Sequence, residues 1–379
     1  MDTAPDSSGT VPPPPPPVIT VPPPPRPRRG RGWMIFAIIL LVLLLISLFG
    51  NFAQLVSQAL TFKGGLSNGI SREVGPNLDE CLIKDNDASS KIAVVTVDGI
   101  ITDSTTDQTG YNMVDVIRAQ LDRAKEDRRV KAVILKVDSP GGEVLASDEI
   151  NRLLVKFQSG DDGKPVICSM GSLAASGGYY ISAPCRWIVA NQLTLTGSIG
   201  VIMETINFRG LMDKIGVEPY VFKSGMYKDM LSGMRSTNEI PAGEHAMVQN
   251  LIDQTYDQFK SVVATGRGDA HARNKKQGRP LALDWTQYAD GRVLSGTEAY
   301  DLGFVDQLGD FQDAVDRAKA IAGVREANLI EYRERYDISN FLRLLGQTEM
   351  SHSVKLDLGM ELPRLQAGEL YFLSPTFIN

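Results

Sequence analysis

A serine followed directly by two glycines, Ser176-Gly177-Gly178, lies where an apolar stretch of the sequence gives way to a helical one. The apolar stretch, residues 165–170, predicts a strand. A strand that turns into a helix at a serine presents the hydroxyl beside free backbone N–H groups, where negative charge is favoured. This position suits a serine nucleophile and the oxyanion of its tetrahedral intermediate. The same small residues also suit a tight turn between closely packed backbones, so the segment alone leaves both interpretations open.

A serine nucleophile needs a base, and the sequence contains candidates of two kinds. Histidine is the usual partner, but His245, His271 and His352 do not follow strand ends beside glycine-rich turns, which disfavours a Ser-His triad. A lysine can serve when desolvation lowers its pKa from about 10.4 toward neutrality. Lys228, in small and apolar surroundings after a predicted strand, is the best candidate of that kind, although most lysines are solvated surface charges.

Composition argues against several other classes of site. The net charge is −6, and the globular part has no long basic stretch, so a nucleic-acid partner is not expected. The three cysteines lack metal-ligand spacing and are too few for a disulfide framework, and the three histidines form no cluster. We therefore expect neither a metal site nor a cofactor.

The first ninety residues predict a leader, an anchor and a stalk. Residues 1–32 carry two proline runs and cannot bury a core, so a disordered leader is expected. Residues 33–56 are apolar, uncharged and preceded by an arginine cluster, which predicts one transmembrane helix with the N-terminus in the cytoplasm. A cleaved signal peptide ending at Ala59 is the competing interpretation, although the apolar run is long for one. Residues 57–90 are polar and predict a stalk.

Strands alternate with helices from about residue 91, which predicts an α/β domain with a largely parallel sheet over residues 91–324. Glycine-rich turns follow two successive predicted strands, at Gly141-Gly142 and Gly177-Gly178. Because sites in such folds gather at the carboxyl ends of strands, both turns lie where chemistry is expected.

The second half of the domain yields less certain elements. Residues 219–222 predict a strand, residues 241–264 a long amphipathic helix, and residues 266–282 a basic surface loop. Residues 325–379 are interpreted as a C-terminal extension of unknown role, with one strand-like patch at residues 328–330.

Five segments together resemble the bacterial signal peptide peptidase A family of serine proteases, in its short, single-repeat form. In chain order they are Asp138–Gly142, Met170–Tyr180, Leu195–Ile202, Lys223–Asp229 and Gly291–Gly309. The similarity covers about residues 90–322, and several long motifs in register are far more specific than any single one. The resemblance implies a fold akin to crotonases and Clp protease subunits, and peptide-bond cleavage by a Ser-Lys dyad. The proline-rich leader, the long segment before Asp290 and the C-terminal tail depart from the family pattern.

The resemblance also implies a role for each site residue. Ser176 is the expected nucleophile, and Lys228 is the general base that takes its proton and passes it to the leaving amine. The backbone N–H of Gly142 is expected to bind the oxyanion together with that of Ser176 or Gly177. Ser198 is expected to orient the lysine amine, and a turn hydroxyl that caps its own loop is the alternative.

An assembly and a location follow from the same resemblance. Short-form members form rings in which serine and lysine come from neighbouring protomers, and they take unfolded peptides, notably remnant signal peptides, as an added strand. The implied location is the inner (cytoplasmic) membrane, with the site on its outer side. Two alternatives stay open: a crotonase-type acyl-CoA enzyme with Glu143 or Glu149 as its base, and a catalytically inactive membrane scaffold.

Overall fold

The computed structural model describes residues 36–45, 47, 75–104 and 111–334, and the backbone of residues 371–373. The chain divides into two units, Met1–Glu73 and Val74–Asn379. In the first unit residues 36–45 form helix α1, whose apolar side chains are exposed. No helix within the described ranges is both long and apolar enough to cross a membrane. The predicted leader and parts of the predicted anchor and stalk lie outside the described residues.

The second unit is a mixed α/β domain. In chain order its strands are β1 (Leu78–Lys84), β2 (Lys91–Asp98), β3 (Val130–Ser139), β4 (Gly141–Glu143), β5 (Val166–Ala175), β6 (Trp187–Ala190), β7 (Leu195–Gly197), β8 (Val293–Ser295), β9 (Gln307–Leu308), β10 (Asn328–Glu334) and β11 (Tyr371–Leu373). Its helices are α2 (Met113–Glu126), α3 (Val144–Gln158), α4 (Gly177–Ser182), α5 (Arg209–Ile215), α6 (Glu244–Arg273), α7 (Gly296–Asp301) and α8 (Phe311–Ala322). Short 3-10 turns cover Thr237–Glu239 and Trp285–Tyr288.

Nine of the described strands form one sheet, along the path β1-β10-β2-β3-β5-β6-β9, with β7 beside β5 and β8 beside β7. The pairs from β10 to β9 along this path are parallel, as is the pair β5–β7. The pairs β1–β10 and β7–β8 are antiparallel. The predicted α/β domain with a largely parallel sheet is therefore confirmed.

Apolar residues on both faces of the central strands explain why the sheet is covered on both sides. On one face, helices α2, α3, α4 and α6 pack against the strands around Val95, Leu135 and Cys168. On the other face, α8 packs Ala314 and Val315 against the sheet. Full burial of each aliphatic side chain contributes about 1.5–3 kcal/mol, so this double burial is the main source of stability for the sheet.

The structure corrects two boundaries of the predicted domain. Leu78–Lys84, assigned from the sequence to the stalk, is edge strand β1, and Asn328–Glu334, assigned to the extension, is strand β10 within the sheet. Strand β1 was missed because most of its side chains are exposed, so its sequence resembles a polar linker. The sheet therefore begins before residue 91 and continues beyond residue 324.

Two predicted elements are also wrong. Residues 219–222 are not a strand, because no described strand pairs with them and their side chains are largely exposed. The basic loop predicted at residues 266–282 begins as helix, since α6 continues to Arg273. Arg267, which made this segment look solvent-exposed, is a buried side chain of that helix.

Three parallel strands bring the sequence motifs to one edge of the sheet. Strand β3 pairs with β5, with Ser139 beside Ala174, and β5 pairs with β7, with Ala175 beside Gly197. Because all three strands run in the same direction, the residues that follow them emerge together. The site is therefore built where β3, β5 and β7 end.

Candidate active site

Ser176 occupies the sharp turn between β5 and α4. Its backbone has φ 55° and ψ −115°, a region that non-glycine residues rarely adopt and that costs about 1–3 kcal/mol. Two hydrogen bonds hold this conformation: its N–H donates to Gly197 C=O at 2.8 Å, and its C=O accepts from Tyr180 N–H at 2.8 Å. The strained turn is thus fixed by β7 on one side and by the first turn of α4 on the other.

Two glycines after Ser176 let this turn pack against the end of β3. A Cβ added to Gly177 would lie 2.7 Å from Ser147 Oγ and 3.1 Å from the backbone nitrogen of Gly142. A Cβ added to Gly178 would lie 2.8 Å from Ser139 C=O. Since Cβ contacts below 3.0 Å are essentially absent from proteins, the backbone contact at Gly178 excludes a side chain there, and a side chain at Gly177 would have to move the Ser147 hydroxyl and crowd the Gly142 backbone. The sequence Ser-Gly-Gly therefore places the turn directly beside Gly142.

The turn from Ser139 to Gly142 is held in place by backbone and side-chain hydrogen bonds. The Ser139 hydroxyl accepts the N–H of Gly141 at 3.1 Å, and Gly141 has φ 102°, a value that favours glycine. A Cβ on Gly142 would lie 1.9 Å from Ile101 C=O. Any side chain at this position would push the turn out of place, so the location of the Gly142 N–H depends on glycine.

The Ser176 hydroxyl has no hydrogen-bond partner among the described residues, although the residue is fully buried. Ser147 Oγ, beside Gly177, is also buried and unpartnered. Buried hydroxyls without partners are uncommon and costly in native structures. Two of them beside one strained turn distinguish this turn from the rest of the buried core.

Ser198 follows β7 just as Ser176 follows β5. It is almost fully buried and has φ 50°, and its N–H donates to Arg292 C=O at 2.8 Å. The preceding residue, Gly197, accepts the Ser176 N–H. Ser198 therefore lies at the same edge of the sheet as Ser176, and its assignment as a lysine-orienting group stays a prediction.

Lys228 is not part of this cluster within one chain. It is exposed, and because the Ser176 hydroxyl is unpartnered, no hydrogen bond joins the two residues. Lys228 belongs to a series of tight turns, residues 223–235, which we call the Lys228 loop. The structure thus brings together Ser176, Gly177, Gly142 and Ser198 and leaves Lys228 apart.

A network of four charged side chains braces the Lys228 loop. Lys223 Nζ lies 2.7 Å from both carboxylate oxygens of Asp229, and Arg235 donates to Asp229 at 2.8 Å. The other terminal nitrogen of Arg235 donates to Glu244 at the start of α6. Glu244 also accepts the N–H of Leu231 at 3.1 Å. The loop is therefore tied to itself and to α6.

The ionisation of this network follows from its contacts. The hydrogen bond from Lys223, with help from Arg235, lowers the pKa of Asp229. Burial alone would raise the pKa of Glu244, but the hydrogen bonds from Arg235 and Leu231 lower it overall. The hydrogen bond to Glu244 raises the pKa of Arg235. Asp229, Glu244 and Arg235 are therefore charged at neutral pH, and their ion pairs hold the Lys228 loop together within one chain.

A buried ion pair anchors the other end of α4. Arg267 on α6 donates to the carbonyls of Ala183 and Cys185 at 3.2 and 2.9 Å and forms an ion pair with Asp306. Asp306 in turn accepts the N–H of Ile188 at 2.9 Å. Burial alone would lower the pKa of Arg267, but Asp306 reverses this and raises it. The helix that follows Ser176 is thus fixed at both ends.

Other candidate groups have structural partners. Glu143 accepts hydrogen bonds from Thr102 Oγ1 at 2.6 Å and from Asp103 N–H at 2.9 Å, and Glu149 pairs with Arg118. Neither carboxylate is placed as a free base for acyl-CoA chemistry. Across the described ranges, no group of three or more His, Cys, Asp or Glu side chains is arranged to hold a metal ion.

The sequence predicted neither the network around Arg235 nor the buried ion pair of Arg267 with Asp306. The ion pair of Arg267 nevertheless has a recognisable sequence pattern. Phe259, Val263, Arg267 and Ala270 recur at helical spacing, and all four are buried in α6. An arginine within such an apolar stripe predicts a buried ion pair. Arg235 has no comparable signal, because its partners come from separate turns.

Comparisons with known proteins show which family and which proteins the chain resembles. A family model described as Peptidase family S49 matches residues 158–325, a range that contains Ser176, Ser198 and Lys228. A provisionally named signal peptide peptidase SppA of Enterococcus faecium is 36% identical over 261 residues, which span 68% of this chain and 71% of that protein. Protease 4 of Haemophilus influenzae is 35% identical over 242 residues, which span 64% of this chain and 36% of that protein. The chloroplastic serine protease SPPA of Arabidopsis thaliana is 32% identical over 211 residues, which span 55% of this chain and 29% of that protein.

These matches define the class of enzyme as a serine peptidase, a hydrolase of peptide bonds. The chain belongs to peptidase family S49, the signal peptide peptidase A family, as the sequence motifs predict. The matched part spans only about a third of the length of two of the relatives above.

Proposed function

We propose that this peptidase cleaves unfolded peptides through an acyl-enzyme, with Ser176 as nucleophile and Lys228 as general base. The observation that carries the proposal is the strained, buried Ser176 turn, which has an unpartnered hydroxyl and whose Gly177 packs against the glycine turn at Gly142. In this mechanism Ser176 Oγ attacks the scissile carbonyl while Lys228 takes the hydroxyl proton. The lysine then protonates the leaving amine, and water releases the peptide acid.

The oxyanion is assigned to the backbone N–H of Gly142, with that of Gly177 as the second donor. Backbone donors fixed before reaction stabilise the developing charge without reorganisation, and removal of one such donor typically costs a factor of about 10²–10³ in rate. The close packing of Gly177 on Gly142 supports this assignment. Ser198, at the same edge of the sheet, is assigned to orient the lysine amine.

We propose further that the active site is completed by a second copy of the chain. Lys228 is exposed, and its loop and the segment leading to it present large apolar side chains to solvent: Tyr220 at 81%, Phe222 at 97% and Met226 at 63% exposure. Exposed apolar residues grouped in this way are typical of protein interfaces. A neighbouring protomer that covers them would bring its own Lys228 loop to the unpartnered Ser176. A ring built this way would have shared sites.

The substrate class and location are part of the same proposal. A site at a strand edge, enclosed within a ring, admits extended peptide and excludes folded protein. Remnant signal peptides are extended, apolar and released at the membrane, so they fit such a site. The apolar stretch at residues 33–56 supports a single-pass anchor, with the catalytic domain on the outer side of the inner membrane.

The test is the hydrolysis of an unstructured reporter peptide by the purified full chain and by the Ser176→Ala and Lys228→Ala variants. Each variant is expected to fall to background with an unchanged far-UV circular dichroism spectrum. Wild-type activity is expected to rise toward alkaline pH, as a lysine base requires. Full activity in either folded variant would refute the dyad. Turnover of acyl-CoA thioesters with no peptide cleavage would favour the crotonase-type alternative.

A further inference from the structure

Strand β5 changes its partner strand shortly before it reaches Ser176. Its residues 167–169 pair with β6, whereas its residues 173–175 pair with β7. The place of this change decides where the strand delivers Ser176, because the Ser176 N–H must reach the Gly197 C=O at the end of β7. The geometry of the proposed nucleophile therefore depends on how the change of partner is fixed.

A bulge in β5 marks the change of partner. Against β3, Met170 lies beside Val137 and Ala174 lies beside Ser139. From the first pair to the second, β3 advances by two residues and β5 by four, so β5 contains two extra residues. They lie within residues 171–173, which we call the β5 bulge. Because successive side chains of a strand point to opposite faces, a bulge shortened or lengthened by one residue would turn the residues that follow to the wrong face.

The Asp138 side chain holds the β5 bulge from β3. Its Oδ1 accepts the N–H of Leu173 at 3.0 Å. Its carboxylate also lies directly over Gly171, since a Cβ added to Gly171 would lie 2.8 Å from both Cγ and Oδ2 of Asp138. Asp138 is itself fixed in the sheet, because its C=O accepts the N–H of Gly99 at 3.0 Å. An aspartate at 138 and a glycine at 171 therefore fit together as a pair.

The Thr194 side chain holds the β5 bulge from the side of β7. Its hydroxyl donates to the Gly171 C=O at 2.8 Å and accepts the N–H of Asn191 at 3.1 Å. Thr194 is almost fully buried. Side chains thus supply hydrogen bonds on both sides of the bulge, where the regular ladder is interrupted.

We propose that Asp138 is a positioning residue of this peptidase, which fixes the β5 bulge and thereby the register in which β5 delivers Ser176. The consequence for activity rests on the proposed function of Ser176, whereas the fixing of the bulge rests on its hydrogen bonds alone. Asp138 does not touch the nucleophile, because the Ser176 hydroxyl has no hydrogen-bond partner among the described residues. It acts on Ser176 through β5.

The expected effect is a loss in kcat, because misplacement of a reacting group by about 1 Å can cost about 10²-fold in rate. Asp138→Ala removes the acceptor of the Leu173 N–H and opens space over Gly171, so kcat should fall by about 10- to 100-fold. KM should stay within about threefold, because Ile101 holds the glycine turn independently. Asp138→Asn keeps a side-chain oxygen as acceptor and should keep kcat within about threefold of the wild type.

The matched control is Asp98→Ala. Asp98 lies beside Asp138 in the register of β2 with β3, and it is exposed. Its substitution should leave kcat within about twofold of the wild type. All variants are made in the full chain, and kcat and KM are measured with an unstructured reporter peptide on proteins whose circular dichroism spectra match. A second readout, independent of activity, is hydrogen exchange at the Leu173 and Ser176 amides, which should accelerate about tenfold or more in Asp138→Ala only.

A folded Asp138→Ala chain with kcat within about threefold of the wild type, or an equal loss in Asp138→Asn, would overturn the proposal. If Asp138→Ala does not fold, Thr194→Val tests the bulge from its other side and should lower kcat by about threefold or more. An unchanged kcat in that variant would overturn the proposal as well. If the wild type does not hydrolyse peptide but exchange at Ser176 still accelerates in Asp138→Ala only, the fixing of the bulge stands and the proposed function fails instead.

Discussion

Replacement of Arg267 by methionine removes the cation that holds the end of α4. The Arg267 side chain is 1% exposed and that of Asp306 is 2% exposed. In the variant, the buried carboxylate of Asp306 keeps only the Ile188 N–H, and the carbonyls of Ala183 and Cys185 lose their donor. Loss of one partner of a buried ion pair costs about 3–5 kcal/mol. At about 2–4 °C per kcal/mol for a domain of this size, Tm should fall by roughly 10 °C.

The assay is thermal and urea unfolding, followed by circular dichroism at one fixed protein concentration. The double variant Arg267→Met with Asp306→Asn removes the unpaired charge and should recover about 1–3 kcal/mol relative to the single variant. Lys319→Met is the control, because Lys319 lies 3.4 Å from Asp316 and Glu326, whose side chains are mostly exposed. It should change stability by less than about 1 kcal/mol. A loss below about 1 kcal/mol in Arg267→Met, or no recovery in the double variant, would refute the reasoning.

Three further predictions concern the turn after Ser176, the Lys228 loop and the stability of the fold at acidic pH. Gly177→Ala should lower kcat/KM by up to about 10²-fold because its Cβ would lie 3.1 Å from the Gly142 nitrogen and shift this oxyanion donor, whereas Gly210→Ala, with nothing within 4 Å of the added Cβ, should match the wild type. Arg235→Met should lower kcat by about tenfold or more by freeing the Lys228 loop, and Arg235→Lys should restore part of the loss in the same assay. Burial alone would raise the pKa of Asp127. Hydrogen bonds from Arg129 and Lys91 outweigh this effect and lower the pKa to about 2. This carboxylate therefore stabilises the fold above its ordinary value of 3.8 and loses that effect as pH falls toward about 2. In urea unfolding between pH 5 and 2, Asp127→Asn should show a shallower loss than the wild type.

The central sheet and the Ser176 turn were predictable because short-range patterns encode them. Apolar runs ending in glycine-rich turns fix strands β3 and β5, and small residues at 177 and 178 are required by contacts with Ser139 and Gly142. The edge strand β1 and the strand β10 were not predictable in the same way. Their pairing joins residues about 250 positions apart, and most side chains of β1 are exposed.

The relation between Ser176 and Lys228 could not be read from spacing. The sequence places both in family motifs, but one chain alone leaves Lys228 exposed and the Ser176 hydroxyl without a partner. Whether two residues of one sequence meet within a chain or between chains depends on the assembly, which leaves no local pattern. Strand β11 has the same character, since its three residues pair with β4, from which they are distant in sequence.

The measurement that tests the central claim most directly is complementation between two inactive variants. Full-length Ser176→Ala and Lys228→Ala chains are purified, dissociated, mixed in equal amounts and reassembled, with subunit exchange verified by a fluorescence label. If each site takes its serine from one protomer and its lysine from the next, about half of the sites in a random mixture contain an intact Ser176. About half of those sites also receive an intact Lys228, so activity returns to about a quarter of the wild-type value. Activity that stays at background after verified exchange would contradict a site shared between protomers.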